Sequence, residues 1–424
     1  MDTNAKTVLI VTYYWPPAGG SGVQRWLYFA NELKQLGWNP VIVTQKNAAY
    51  PLRDESLEDK IDKSIEVHRV RGWEPFKIAQ IGASSRQQDL LTQKGLWHSF
   101  KRWVRAEYFF PDARMFWIAP VVRFVQQYAT HHKIDALITT GPPHSAHMIG
   151  YRLKKTRNIP WLVDFRDPWS DFFQNKQLSM SKRMQKKHLH WQSIVLKNAD
   201  FVTVTSPSLK QKFKLINTNC KLLTNGYESL LKGIQSESFS IVYTGVMKAI
   251  QNPENLWKVL GELVRENNDF ASDFSIHLIG DFDETISKNI LSEGLQVHST
   301  FYEYMPKSSL EPYITSAHML LMVSVNDEDS YQIIPGKLFE YMAACRPILA
   351  IGNPDGDMAS LMNKTQTGQV FDYSEKQLLK EYIIQAFKRF KKGEDTTASN
   401  PYISPYKRSE LAKQLSEHLT QMIS

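Results

Sequence analysis

The sequence contains few of the features that mark secreted, membrane-spanning or metal-binding proteins. Cysteine occurs only twice among 424 residues, at Cys220 and Cys345, which lie far apart and in no metal-ligand spacing. Neither a disulfide framework nor a zinc site is therefore predicted. The apolar run that follows the polar N-terminus is only six residues long, too short for a signal peptide or a membrane span. We expect a cytoplasmic protein whose contact with a membrane, where it has one, is peripheral on the inner face.

Acidic residues are fewer than basic residues, and the formal net charge is +8. This favours anionic partners without choosing between a nucleotide diphosphate, an anionic lipid surface and a nucleic acid. Basic residues concentrate at 102–105 and 182–187. The aromatic residues around the first cluster are Phe100, Trp103, Tyr108, Phe109 and Phe110. Both a solvated helix face and docking on an anionic membrane surface fit this pattern.

Enough apolar residues are present, at 42% of the chain, to build two cores. Short apolar runs alternate with helical periodicity, first from TVLIVT and again from FSIVYTG. This alternation predicts α/β domains with parallel sheets covered on both faces. The expected organisation is an N-terminal Rossmann-like domain over 1–224, a linker over 225–238, a second Rossmann-like domain over 239–400 and a C-terminal helix over 401–424.

The most informative stretch is YQIIPGKLFEYMAACRPILAIG, in which Pro335 and Gly336 interrupt the chain just before a predicted helix. Lys337 lies in the first turn of that helix, and Glu340 follows three residues later on the same face. A pyrophosphate would meet the helix N-terminus and a lysine charge together, while the carboxylate could accept hydrogen bonds from both ribose hydroxyls. The alternative is an exposed capping arrangement with a salt bridge between Lys337 and Glu340.

This stretch resembles the donor-binding signature of glycosyltransferase family 4, and the resemblance extends over residues 6 to 420. It implies the GT-B fold, in which two Rossmann-like doubly wound domains face a cleft. The first domain would bind the acceptor and the second the nucleotide-sugar donor. The resemblance places Glu340 at the donor ribose and Lys337, with Gly336, near the diphosphate. Family members usually carry a further glutamate eight residues before the ribose glutamate, and this chain has Gln332 there.

The loop after the first predicted strand, YYWPPAGGSGVQR, resembles the opening glycine loop of the same family. Gly19, Gly20 and Gly22 carry this resemblance. It implies that the backbone approaches the donor phosphates or the acceptor closely. The loop lacks the lysine of a P-loop and the full spacing of a dinucleotide fingerprint. Tight packing of an ordinary βα turn would require the same glycines.

A histidine follows another predicted strand in TTGPPHSAHMIGYRL, where His144 starts a helix. In family members of similar sequence, a histidine in this loop faces the transferred sugar, so the resemblance makes His144 a catalytic candidate together with Gln332 and Glu340. Without the resemblance, His144 and His147 would be ordinary polar residues at a helix end.

Charged residues concentrate in WLVDFRDPWSD, at the end of a further apolar strand. Asp164, Arg166 and Asp167 are acceptor-side candidates, because carboxylates exposed to a cleft can orient hydroxyls or accept a proton, and Asp171 follows them. Similar runs occur in bacterial members of the family. Buried ion pairing between Arg166 and an aspartate is the alternative.

In the second domain, IVYTGVMKAIQNPENL resembles the phosphate-binding turn that follows the first strand of the family's donor domain. Gly245 occupies the glycine position, and Val246 stands where an arginine is usual. Lys248 is the donor-binding candidate that could supply the missing charge. Gly280, in LIGDFDE, matches the turn after the next strand and is expected to line the base pocket.

The resemblance implies a retaining transfer from a nucleotide-diphosphate sugar to a glycan or lipid-linked acceptor, as in envelope polysaccharide synthesis. No metal or other cofactor is expected, because lysines and helix dipoles would stabilise the leaving diphosphate. Asp327 and Asp329 have the spacing of a two-aspartate metal motif, but acidic residues in a loop before a helix are usually solvated.

Two alternatives remain open from the sequence. A GT-B sugar-nucleotide epimerase would need no separate acceptor. A non-catalytic protein could bind nucleotide sugars, or use its basic and aromatic residues on single-stranded nucleic acid. No nucleic-acid partner is expected, since no recognised nucleic-acid motif occurs.

Overall fold

The computed structural model describes residues 5–50, 52–74, 103–170, 180–394 and 400–424, with the side chains of Ser21, Glu328 and Asp329 not described. The predicted positions Phe100, Arg102 and Asp171 lie outside the described residues, as does the carboxylate of Asp329. The chain divides into two compact units. The first comprises Met1–Asn225 and Arg408–Ser424, and the second comprises Gly226–Lys407.

The first unit is built on a seven-stranded sheet in the order β3-β2-β1-β4-β5-β6-β7, and all neighbouring strands are parallel. Its strands are β1 Lys6–Val11, β2 Trp38–Gln45, β3 Glu66–Val70, β4 Ala136–Gly141, β5 Trp161–Phe165, β6 Phe201–Val204 and β7 Cys220–Leu222. The strand order reverses between β1 and β4, the place where ligands bind in open α/β sheets.

Helices cover both faces of this sheet. They are α1 Ser21–Gln35, α2 Ile118–Tyr128, α3 Ser145–Arg157, α4 Lys182–Asn198 and α5 Pro207–Lys214. Successive residues of a strand point to opposite faces, so Leu9 and Val11 of β1 pack into one hydrophobic core. Val8 and Ile10 pack into the other core. The uninterrupted apolar run of β1 is therefore explained by burial on both sides.

The second unit contains a six-stranded parallel sheet in the order β10-β9-β8-β11-β12-β13. Its strands are β8 Phe239–Met247, β9 Phe274–Phe282, β10 Ser299–Tyr302, β11 Met319–Val323, β12 Ile348–Ile351 and β13 Gly368–Phe371. Its helices are α6 Glu254–Glu266, α7 Asn268–Asp273, α8 Glu284–Ser292, α9 Lys307–Ser316, α10 Gly336–Ala343, α11 Asp357–Thr365 and α12 Gln377–Lys391. The order reverses between β8 and β11, as it does between β1 and β4. The prediction of two doubly wound Rossmann-like sheets is confirmed.

The last helix, α13 Arg408–Ile423, belongs to the first unit. Leu411, Leu415 and Leu419 recur at helical spacing and pack into the same core as Trp26 of α1. The predicted linker lies with the second unit from Gly226 onward, where the backbone N–H of Leu231 donates to the carbonyl of Ala343 at 2.8 Å. None of the helices in the described ranges combines the length and apolarity that a membrane crossing requires.

Candidate functional site

Two glycines lie opposite each other at the carboxyl ends of β8 and β9. Gly245 and Gly280 are partners in the strand register, and their φ values are +118° and +134°, in a region that side chains with a Cβ rarely adopt. A Cβ on Gly280 would lie 2.1 Å from the carbonyl oxygen of Gly245. Glycine is therefore required at both positions.

The side chain of Lys337 lies directly beside this glycine pair. Its Nζ is 4.2 Å from the ring centroid of Tyr243, a distance at which the ring face attracts a cation. A Cβ on Gly245 would lie only 2.7 Å from the same Nζ. The absence of a side chain at Gly245 thus makes room for the lysine ammonium at the end of β8.

No described residue forms an ion pair with the Lys337 ammonium. The carboxylate of Glu340 lies 3.2 Å from Nζ of Lys307 instead, so the alternative of a salt bridge between Lys337 and Glu340 is wrong. Burial lowers the pKa of Lys337 to about 8, and the nearby Glu340 acts in the opposite direction. The ammonium is therefore charged at neutral pH, half-buried and available to an anion.

The helix that carries Lys337 starts without a side-chain cap. Pro335 precedes α10 in an extended conformation, and its side chain accepts no hydrogen bond from the first turn. The N–H groups of a first helical turn have no partner within the helix, and they bind anions together with the helix dipole. Gly336 adds no side chain that would cover them.

Gln332 and Lys248 are the remaining candidates of the second unit. Gln332 ends a short 3-10 helix, Glu328–Gln332; it is 5% exposed, and its side-chain amide forms no hydrogen bond with any described residue. Lys248 is half-buried directly after β8. Gln251 links the end of β8 to the end of β11. Its side chain accepts from the backbone N–H of Lys248 at 3.3 Å and donates to the carbonyl of Val323 at 3.3 Å.

In the first unit, Arg166 connects the glycine loop to the loop after β4. Its guanidinium donates to the carbonyl of Gly141 at 3.3 Å and to that of Pro142. A Cβ on Gly22 would lie 1.5 Å from Nη1 of Arg166, so the guanidinium occupies the space that a side chain at position 22 would take. Gly20, at the N-cap of α1, has a φ of +101° and needs the conformational freedom of glycine.

His144 immediately precedes α3, and its ring stacks on Trp169 at 4.8 Å between centroids with an interplanar angle of 6°. Its Nδ1 is enclosed and accepts or donates no hydrogen bond within the described ranges. Burial lowers the pKa of His144 well below its usual value, as do His147, His188 and Arg166. The imidazole is therefore neutral, with one donor and one acceptor nitrogen.

Asp164 lies inside the first unit, with no exposed surface. It accepts from Arg25 at 3.0 Å, Trp26 at 3.0 Å, Thr140 at 2.9 Å and Thr203 at 2.9 Å. Four hydrogen bonds fill the acceptor capacity of a carboxylate. The ion pair of this carboxylate is thus with Arg25, which the sequence did not suggest as its partner.

Asp167, two residues after the end of β5, is half-buried. Burial raises the pKa of Asp167, although Arg166 acts to lower it. A carboxyl group with a raised pKa is better suited to exchange a proton near neutral pH than an ordinary aspartate.

The structure thus groups Gly22, His144 and Arg166 in the first unit and Gly245, Gly280 and Lys337 in the second. Sequence reasoning missed two basic residues: Arg25, which pairs with Asp164, and Lys307, which pairs with Glu340. Arg25 is the last residue of the quoted glycine motif, and Lys307 follows a proline at a helix start. Neither local sequence indicates which carboxylate the residue pairs with. Among the side chains that the structure describes, no cluster of three or more metal-ligating residues occurs.

Residues 238–389 match the family model described as "Glycosyl transferases group 1". The matched region lies within the second unit. The match begins just before β8 and ends within α12, so the matched region contains every candidate of the second unit. These candidates are Gly245, Lys248, Gly280, Gln332, Gly336, Lys337 and Glu340.

Solved structures with a similar fold extend over both units. Sucrose-phosphate synthase from Thermosynechococcus elongatus is 14% identical with a TM-score of 0.68, covering 98% of this chain and 99% of its own. WaaG, a glycosyltransferase involved in lipopolysaccharide biosynthesis, is 12% identical with a TM-score of 0.55, covering 97% and 99%. TarM of S. aureus is 12% identical with a TM-score of 0.59, covering 99% and 100%. No curated protein sequence matches the chain. At these identities the similarity shows the fold, which is GT-B.

Proposed function

We propose that the chain is a retaining glycosyltransferase that moves a sugar from a nucleotide-diphosphate sugar to a glycan or lipid-linked acceptor. The observation that carries this proposal is the half-buried ammonium of Lys337. It lies at an uncapped helix start beside two obligatory glycines and has no carboxylate partner in the described structure. Such an arrangement suits a diphosphate, and it lies in the region that matches the glycosyl transferases group 1 model.

In the second unit, Lys337 and the first turn of α10 would stabilise the diphosphate as it leaves, with Lys248 adding charge and no metal required. Gly245 and Gly280 would allow the backbone to approach the donor. Glu340 would accept hydrogen bonds from the ribose hydroxyls. Electrostatic groups of this kind act most strongly on the charge that develops in the transition state.

In the first unit, neutral His144 would hydrogen-bond the transferred sugar, and Asp167 with Arg166 would face the acceptor. Gly20 and Gly22 would let the loop backbone come close to the ligand. Asp164 is assigned a positioning role, because its oxygens are occupied by protein donors.

The proposed step breaks the bond between the anomeric carbon and the diphosphate oxygen, which leaves with the electron pair. The acceptor hydroxyl forms the new bond from the same face, and its proton passes to the leaving phosphate oxygen. The configuration at the anomeric carbon is thereby retained without a covalent enzyme intermediate. The Gln332 amide can support this step through hydrogen bonds but carries no charge.

A thermal-shift screen of nucleoside diphosphates and nucleotide sugars tests the proposal, because a ligand that binds the folded state raises its apparent stability with occupancy. We expect at least one nucleoside diphosphate to raise the melting temperature, which also identifies the base. Product analysis with donor alone then separates the transferase from a sugar-nucleotide epimerase. An epimerised donor formed without acceptor would overturn the proposal, as would the absence of any nucleotide effect.

The change Glu340→Ala is expected to weaken binding of the nucleoside diphosphate and of the full donor alike, by about tenfold to 100-fold. Hydrogen bonds to a charged group are worth about 1.5 to 3 kcal/mol. Calorimetric titration measures both affinities. Glu284→Ala is the control, since Glu284 forms an exposed pair with Lys288 in the same unit. A loss confined to the full donor would place Glu340 at the sugar instead.

Substitutions of Gln332 test the stereochemical assignment. Gln332→Glu is expected to keep the anomeric outcome and measurable activity, because retention does not depend on a carboxylate there. Gln332→Ala should cost about 1 to 3 kcal/mol in transition-state stabilisation, from a lost hydrogen bond to the sugar. Kinetics and NMR of the product provide both readouts. An inverted product from the native protein, or full activity in Gln332→Ala, would contradict this account.

The basic and aromatic segment from Phe100 to Phe110 is proposed to dock on anionic lipid. In its described part, Trp103 is 43% exposed and Tyr108 is 66% exposed. The carboxylate of Glu107 accepts from the backbone N–H of Ser181 at 2.5 Å and from its hydroxyl at 2.8 Å. Since Ser181 caps α4, this contact places the start of the second basic cluster, 182–187, beside Glu107 of this segment.

Vesicle sedimentation should show at least about tenfold stronger binding to anionic than to neutral vesicles, with a loss at high salt. The double change Trp103→Ser and Tyr108→Ser should weaken this binding. Leu215→Ser is the matched control, because Leu215 is an 88% exposed apolar residue elsewhere in the same unit. Equal binding to both vesicle types, or to neither, would show that the segment is only a folded surface.

We place the reaction in the cytoplasm, at the inner face of the membrane, in envelope polysaccharide synthesis. This assignment is supported by the family resemblance and by the fold shared with WaaG, whose own role is in lipopolysaccharide biosynthesis.

A further inference from the structure

The two charged candidates of α10 do not form an ion pair with each other, and Glu340 pairs with a residue from a different element. Lys337 and Glu340 are three residues apart, a spacing at which opposite charges on one helix can pair. The structure instead places Oε1 of Glu340 at 3.2 Å from Nζ of Lys307. In the described parts of the chain, Lys337 forms no ion pair.

Lys307 occupies an unfavourable place for a cation. It is the first residue of α9, directly after Pro306, where the helix dipole carries positive partial charge. No acidic residue lies in the first turn of α9 to compensate. The compensating charge comes from Glu340, so the lysine at this helix start is explained by its partner on α10.

We propose that Lys307 is a positioning residue of the donor site, which holds the Glu340 carboxylate away from the Lys337 ammonium. This inference rests on the proposed function. Lys337 then keeps its full charge for the donor diphosphate. With Oε1 engaged by Lys307, Oε2 of Glu340 is left to accept from the ribose hydroxyls.

Loss of Lys307 has a defined consequence in this arrangement. The Glu340 side chain would be released to pair with Lys337 one turn away, and the pair would compete with the diphosphate for the ammonium. An arginine at position 307 would still reach and hold the carboxylate. A neutral amide would supply no charge to hold it.

The experiment is a calorimetric titration of the full chain with UDP, GDP and ADP, following the one that binds most tightly. Lys307→Gln is expected to raise the Kd about threefold to tenfold, the range of a partly exposed charge interaction. In a Glu340→Gln background, the same change should alter the Kd less than about twofold, because the group that Lys307 holds is no longer charged. Lys307→Arg should restore the native affinity.

Lys288→Gln is the matched control, since Lys288 forms an exposed pair with Glu284 in the same unit and should leave the Kd unchanged. Equal weakening by Lys307→Gln in both backgrounds would overturn the inference, because Lys307 would then contact the nucleotide directly. An unchanged Kd for Lys307→Gln in the native background would also overturn it. If the native chain binds no nucleoside diphosphate at all, the proposed function fails, and this inference fails with it.

Discussion

Replacing Lys337 with alanine is expected to lower the rate of sugar transfer roughly 30-fold to 1000-fold. A charge-assisted contact to the leaving group in a partly desolvated site contributes about 2 to 4 kcal/mol to transition-state stabilisation. The ammonium has no ion-pair partner in the described structure to lose, so we expect the melting temperature to move by less than about 2 °C. Steady-state kinetics and a melting curve measure the two effects.

The pH dependence of the transfer rate provides a second test of the role of Lys337. Because burial lowers the pKa of Lys337 to about 8, its positive charge is present at pH 7 and is lost as the pH rises through about 8. The kcat/KM of the native protein should therefore fall above pH 8, and the kcat/KM of the alanine variant should not show this decrease. Lys288→Ala, at an exposed ion pair of the same unit, serves as the control. Near-native turnover in Lys337→Ala would contradict the assignment of the leaving-group contact.

Replacing Asp164 with alanine is expected to destabilise the first unit by about 3 to 5 kcal/mol. Removing one partner of a buried ion pair leaves the other charge without compensation. Arg25 is 4% exposed and would keep its hydrogen bonds to the carbonyls of Leu223 and Thr224 but lose its carboxylate. Thr140 and Thr203 would lose their acceptor as well.

Hydrogen exchange of the amides in β4, β5 and β6 measures this loss without requiring the whole chain to unfold in one step. The control is Glu410→Ala, which removes an exposed pair with Lys413 in α13 and should leave the exchange rates unchanged. Unchanged protection in Asp164→Ala would show that the buried carboxylate is not needed to hold the first unit together.

Much of the fold could be predicted from the sequence, because strand burial is encoded locally. The run VLIV in β1 is apolar at consecutive positions, and the two cores on either side of the sheet account for each of them. Gly245 and Gly280 were predicted to lie in turns after their strands, whereas they lie within β8 and β9. That they face each other depends on the register of β8 and β9, which no local pattern specifies.

The partners of charged residues could not be predicted, because they come from distant elements. Asp164 binds Thr140, Thr203 and Arg25, which are 24, 39 and 139 residues away in the chain. Glu340 binds Lys307, which is 33 residues away, although a lysine three residues away was available. Sequence spacing identifies which charges can pair within a helix, whereas tertiary packing decides which pairs form.

The most direct test is the crystal structure of the full chain with the nucleoside diphosphate that raises its melting temperature. We expect a diphosphate oxygen at about 2.7 to 3.2 Å from Nζ of Lys337, at the start of α10, and the ribose hydroxyls hydrogen-bonded to Glu340. A nucleotide bound elsewhere, or one whose diphosphate makes no contact with Lys337 or with the first turn of α10, would contradict the assignment of the second unit as the donor-binding unit.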